Sequence, residues 1–218
     1  MIQISSLDFS YAESGFRLTI PEVNIGKNEK IVIVGPSGTG KTTLMNLIAG
    51  ILVPRTGSLT IDGVDITQFE IEDRQDFRAV KMGLIFQEFE LLDYLSVLDN
   101  ILLPYRVNAI LQLDQTVVDQ ALRLGESVGL GKKLHRRPGN LSQGERQRAA
   151  VCRALLTQPA ILLGDEPTGN LDPRNRDQVM DILFDYSQKV SAPLIIITHD
   201  QQLLSRFDRK IDVTEFVT

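Results

Sequence analysis

The stretch KIVIVGPSGTGKTTLMNLI, residues 30 to 48, decides the fold. After one lysine, Lys30 to Val34 is an unbroken apolar run, the pattern of a strand buried on both faces. Leu44, Leu47 and Ile48 then recur at helical spacing. Between the two, Gly35-Pro36-Ser37-Gly38-Thr39-Gly40-Lys41-Thr42 satisfies G-x-x-x-x-G-K-[ST], with Thr43 following. Strand before and helix after is the context in which that spacing has a mechanism. Glycines let successive N–H groups curl around phosphate oxygens, and the helix N-terminus adds partial positive charge. Lys41 is then placed to reach β- and γ-phosphates, and Thr42 to ligate Mg²⁺. The competing reading is a glycine-rich turn that matches by accident; the flanks weigh against it.

Outward from this stretch, three more apolar runs share its character: Met82 to Phe86, Ala160 to Leu163 and Leu194 to Ile197. The intervals are long enough for crossover helices, which implies an α/β layer with a mainly parallel sheet. Residues 2 to 33 alternate instead, as in Ile2 and Ile4 or Phe16, Leu18 and Ile20, and read as short half-exposed strands before the buried run. Residues 88 to 157 turn helical, with Val117, Ala121, Leu124 and Val128 on one stripe and Gly129 as a stop. They form an expected helical subdomain inserted into a core of residues 1 to 87 and 158 to 218, all one domain. The apolar runs are followed by Gly35, by Gln87, by Asp165 with Glu166, and by Thr198 with His199. Ligands of open parallel sheets bind beyond the carboxyl ends of the strands, so these residues mark the expected site.

Composition removes other classes. The 218 residues are 43% apolar and 23% charged, which suits one substantial core and excludes a disordered tail. A formal charge of −5 argues against nucleic acid as a partner. Cys152 is the lone cysteine, and with only His135 and His199 it builds neither disulfide nor zinc site. No run approaches the roughly 18 apolar residues of a membrane span, and Met1 to Ser10 lacks a secretory signal. The expectation is a cytosolic chain whose membrane role is borrowed from a partner.

Two further stretches carry chemistry. Ile161-Leu162-Leu163-Gly164-Asp165-Glu166 ends a strand in adjacent carboxylates, whose side chains leave in opposite directions if the pleat persists. Asp165 would hold Mg²⁺ through its water shell, and Glu166 would polarise the water attacking the γ-phosphate. Leu141-Ser142-Gln143-Gly144-Glu145 opens a helix running to about Leu156, with the S-x-x-E spacing of a capping box at Ser142 and Glu145. An exposed helix N-terminus, with Gly144 allowing close backbone approach, is also an anion site. Cap and anion site are both open readings of these residues.

GPSGTGKTT (35 to 43), Gln87, LSQGE (141 to 145), ILLGDEP (161 to 167), NLD (170 to 172) and His199, in this order over nearly the whole chain, resemble the ATP-binding cassette (ABC) ATPases. The resemblance implies an α/β P-loop NTPase core with a mainly parallel sheet, an N-terminal antiparallel β subdomain and an inserted helical subdomain. It implies Mg-dependent hydrolysis of ATP, with two copies paired head to tail and each ATP held between one copy's phosphate loop and the other's signature helix. Tyr11 would stack on adenine, Gln87 would sense Mg²⁺ and the attacking water, Asp172 would cross the dimer seam, and His199 would contact the γ-phosphate. Simpler roles compete. Tyr11 could be a strand aromatic and His199 a core histidine. Asp172-Pro173 suits the start of a helix with Val179, Ile182, Leu183 and Tyr186 inward, and Cys152 suits a small packed hydrophobe. The signature usually reads LSGGQ, so Gln143 and Glu145 are departures. With Ser142 as cap, Gln143 is the first helical residue, where negative φ is normal.

LMNLIAGILVPRTGSLTIDG, FQEFELLDYLSVLDNI, HRRPGNLSQGERQRAAVCRAL and GDEPTGNLD further resemble the branch of lipoprotein-releasing, macrolide-efflux and cell-division ATPases. That branch implies a separate subunit, peripheral on the inner face of the cell membrane, driving integral membrane permease subunits. Phe89, Leu91, Leu92, Tyr94, Leu95, Val97 and Leu98 crowd segment 88 to 100, where a partner's short helix would dock, although about half of them should fill the subdomain core. The alternative is a soluble ABC ATPase that remodels a cytosolic assembly. A regulator without turnover is disfavoured because Lys41, Gln87, Glu166 and His199 are all present.

Overall fold

The computed structural model describes residues 1–12 and 15–217. Five strands form a parallel sheet: β3 (Lys30–Val34), β6 (Met82–Phe86), β7 (Ile161–Asp165), β8 (Leu194–Ile197) and β9 (Arg209–Asp212), in the order β6-β7-β8-β3-β9. Four of these are the apolar runs. The fifth, β9, is half-exposed at the sheet edge and buries only Ile211, so no apolar run marks it.

A second, antiparallel sheet has the order β2-β1-β4-β5, from β1 (Ile2–Ser10), β2 (Arg17–Ile25), β4 (Thr56–Ile61) and β5 (Val64–Asp65). Strands β1 and β2 are nine residues each, longer than their bent alternation suggests. Ile2, Ile4, Leu18 and Ile20 pack against β3 and α1 (Lys41–Ile48) in one cluster, which seats the phosphate loop between the two sheets.

The remaining helices are α2 (Ile71–Lys81), α3 (Val97–Ile101), α4 (Leu103–Val107), α5 (Gln115–Ser127), α6 (Gln143–Leu156) and α7 (Pro173–Val190). Gly129, at φ 79°, follows α5 in the left-handed region favoured by glycine. Helix α6 is buried on two sides. Val151 and Leu155 join the core under β7, β8 and α7, whereas Ala149, Cys152 and Leu156 join the core of α3 and α5. Its alanines let both neighbours approach. Cys152 is fully buried, and burial pushes its thiol up to about 12, so it packs as a small hydrophobe. Val97 is buried and Leu91 and Leu98 pack against the same core, whereas Tyr94 is 71% exposed. Among the described residues no helix is long and apolar enough to cross a membrane.

Candidate active site

Parallel strands put their carboxyl ends on one edge. Phe86 is in register with Asp165, and Asp165 with Ile197, so Gln87, Glu166 and Thr198 with His199 emerge side by side. Gly35 leaves the end of β3 on the same edge, because Ile33 pairs Ile197. A cleft of about 660 Å³ opens there. Ser37, Gly38, Gly40, Lys41, Thr42 and Thr43 line it on one side, Gln87, Asp165, Glu166 and His199 on another, and Tyr11 with Phe16 at the rim.

The loop is shaped by its own hydrogen bonds and by one aromatic ring. Gly40 caps α1 at φ 89°, and a Cβ there would sit 2.4 Å from Phe16 Cζ, so only glycine lets the loop pass this ring. Thr39 Oγ1 donates to Pro36 O at 2.8 Å. Lys41 is buried, and its ammonium donates to the carbonyls of Gly35 (2.9 Å) and Pro36 (2.8 Å), which holds a positive charge inside the loop. Tyr11 OH lies 3.1 Å from Thr43 Oγ1 and its ring is edge-on to Phe9, so Tyr11 belongs to an aromatic cluster and is still 44% exposed to the cleft.

Thr42 Oγ1 donates to Asp165 Oδ2 at 2.9 Å. A hydroxyl from the loop and a carboxylate from β7 therefore converge on one point, a hard-oxygen donor set that fits Mg²⁺ carried by a nucleotide.

Glu166 corrects the expectation drawn from the pleat. The strand ends at Asp165, and Glu166 takes φ 46°, so the backbone turns rather than alternates. The two carboxylates still diverge: Asp165 meets Thr42, and Glu166 Oε1 lies 3.3 Å from His199 Nε2. Burial raises the pKa of Glu166, and nearby His199 partly opposes the shift. His199 is no core residue, since its side chain is 61% exposed on the cleft edge. The loop that carries it is anchored instead through Asp200, which accepts from Arg176 of α7 at 2.8 Å and from Gln202 N at 2.9 Å.

The tip of α6 does not line the cleft. Ser142 is its N-cap and makes a complete capping box with Glu145, leaving Ser142 and Gln143 exposed, with Gln143 as the first helical residue. Gly144 is buried, and a Cβ there would sit 2.3 Å from Asn175 Oδ1, so its smallness serves packing of α6 on α7. Asn175 also donates to Asp172 (2.5 Å) and accepts from Arg148 (2.9 Å). Asp172 caps α7 through Arg174 N and Asn175 N, with Pro173 as first residue. Cap, signature helix and α7 form one network.

Phe16, Arg148, Asn175, Arg176 and Asp200 escape the reading of the sequence. The spacing Phe9-x-Tyr11 near Phe16 was a visible aromatic signal, but nothing local marks the others.

A phosphate loop at the head of a parallel sheet, facing paired carboxylates on another strand end, defines a P-loop ATPase. The ABC transporter family model matches residues 18–169, and the chain belongs to that family as one of its ATP-hydrolysing subunits, which use ATP with Mg²⁺. It is 37% identical over 218 residues to the lipoprotein-releasing system ATP-binding protein LolD of Hydrogenovibrio crunogenus, covering 99% of this chain and 94% of the relative. With LolD of Legionella pneumophila (strain Paris) it shares 37% identity over 194 residues, 89% of this chain and 85% of the relative. Among solved structures, the dimeric ATP-binding cassette MJ0796 in a post-hydrolysis state bound to ADP and Pi superposes with a TM-score of 0.83 at 26% identity, covering 97% of this chain and 94% of that one.

Proposed function

We propose that two copies of this chain close head to tail on two ATP molecules and that hydrolysis reopens them. The convergence of Lys41, Thr42, Asp165, Glu166 and His199 on one cleft carries this reading. The amides of residues 35 to 43 and the Lys41 ammonium hold the triphosphate, and Tyr11 takes the adenine face, with Phe16 beside it. Thr42, Asp165 and Gln87 hold Mg²⁺, which when bound neutralises phosphate charge. Glu166 accepts a proton from water as its oxygen bonds to the γ-phosphorus and the bond to the β-phosphate breaks, leaving ADP and phosphate. Its raised pKa suits a base. His199 donates to the γ-phosphate. Ser142, Gln143 and the amides behind them meet the other copy's nucleotide, and Asp172 reaches across the seam.

The closure drives membrane subunits of a complex like the lipoprotein-releasing systems of the relatives, with this chain cytoplasmic and peripheral on the inner membrane face. The docking groove, of about 470 Å³, runs between β6, α2 and α4 and is lined by Leu84, Phe86, Glu90, Leu103, Pro104 and Val107. It lies beside the expected 88 to 100 segment but draws only Glu90 from it, and Val107 is 68% exposed at its mouth. Arg78 and Arg153 line it as well as Glu90, and a membrane-subunit segment with an apolar face suits it.

Glu166→Gln tests the reading. It should bind Mg-ATP and elute as a dimer in gel filtration, and a variant that turns over normally removes Glu166 from the base role. Val107→Asp should keep basal hydrolysis but lose co-purification with a membrane subunit; cytosolic partners alone would favour the soluble remodelling reading.

A further inference from the structure

We propose that Lys133 is the charge-compensating residue that allows a helix tip carrying Glu145 to receive a phosphate. This rests on the reading of that tip as the second phosphate site.

Glu145 occupies the third position of α6, at the positive end of the helix. Both of its carboxylate oxygens are engaged. Oε2 accepts from Ser142 N at 3.0 Å, and Oε1 is paired with the Lys133 ammonium. Arg148 also acts on this charge, but its Nη1 donates to Asn175 and Gln178 of α7 rather than to Glu145. Lys133 is therefore the cation that contacts Glu145.

The lysine is delivered by a fixed turn. Lys133 N donates to Leu130 O at 2.7 Å, Arg136 N donates to Lys133 O at 2.9 Å, and Leu134 beside it is buried. The pair is partly withdrawn from water, with side chains 33% and 17% exposed. Lys133 holds the Glu145 carboxyl below its usual range, so Glu145 stays ionised.

An ionised carboxylate on the first turn offsets the positive potential of the helix N-terminus where an anion would bind, and like charges within a turn of each other repel. With its second oxygen on an ammonium, Glu145 keeps the cap bond to Ser142 N while the tip presents no net negative charge. The Ser142 hydroxyl accepts from Glu145 N at 3.3 Å, which leaves its proton to donate outward.

The test uses the Glu166→Gln protein, followed by sedimentation with Mg-ATP. Adding Lys133→Met should raise the protein concentration needed for half-maximal dimer about tenfold. Nucleotide affinity below that concentration should not change, and the thermal melt should fall by only about 2–4 °C, because the pair is partly exposed. High salt should shrink the defect. Lys133→Arg should dimerise like the parent, and Lys133→Met with Glu145→Gln should return to within about twofold of it, because a neutral amide needs no cation. A parent that dimerises while Lys133→Met does so equally well overturns the inference alone, as does a failure of Glu145→Gln to rescue. A parent that stays monomeric with Mg-ATP overturns the two-copy reading as well.

Discussion

The strand-end cleft and the tip of α6, the two places proposed to meet phosphate, differ in what completes them. The cleft is lined within one chain: Lys41, Thr42, Asp165, Glu166 and His199 come from three sequence regions and face a common space. The tip is finished only on its inner side. Ser142 is capped by Glu145, Glu145 is paired with Lys133, and Gly144 is sealed by Asn175, while Ser142 and Gln143 face solvent. Sheet register builds the first site, whereas helix packing builds the second. A tip with a built back and an open front is what the proposed head-to-tail pairing requires.

This contrast can be broken at several points. The largest effect belongs to the cleft. Glu166→Gln should lower phosphate release by about 10²–10⁴-fold with ATP binding retained. Lys41→Ala should instead weaken nucleotide binding in equilibrium titration, and unchanged affinity would remove the ammonium from the phosphate site.

Next comes the back of the tip. Gly144→Ala forces a Cβ against Asn175 and should destabilise the fold by about 1–3 kcal/mol in urea unfolding. If stability is unaltered, α6 and α7 are not packed as described. Arg176→Ala sharpens the contrast, because it frees Asp200 without touching the phosphate loop. Turnover should fall about three- to tenfold with KM for Mg-ATP little changed. A rise in KM alone would show that the Asp200 anchor serves binding rather than His199.

The smallest effect is on stability against pH. Burial raises the Glu166 pKa above its unfolded value. The native protein therefore loses stability as pH rises from about 4 through the folded pKa, because the unfolded state releases that proton first. Glu166→Gln lacks this loss, so its Tm should exceed the parent's at pH 7 and the gap should close on acidification. A gap of the same size at pH 4 would mean that ionisation of Glu166 is not its cause.

Much of the cleft was legible because its parts are local. Four apolar runs, the residue after each, and the glycine spacing of 35 to 42 depend on neighbours a few positions apart. The S-x-x-E cap and the Asp172-Pro173 start of α7 were visible for the same reason. Strand β9 was not, since Arg209-Lys210-Ile211-Asp212 lies at the edge and needs no apolar run. The pleat argument at Glu166 failed because a left-handed residue follows the strand, and nothing in two adjacent acidic letters announces it.

The sequence by itself determined the phosphate loop, the parallel sheet that carries it and the caps of α6 and α7, because backbone geometry and short-range hydrogen bonds settle within one turn or one strand. Only the tertiary structure decided that Phe16 presses on Gly40, that Asn175 fills the space beside Gly144, that Arg176 holds Asp200 and that Lys133 meets Glu145. Those pairs lie from 12 to 31 positions apart or are set by packing angles between elements, and side chains at such separations meet only after the cores have closed.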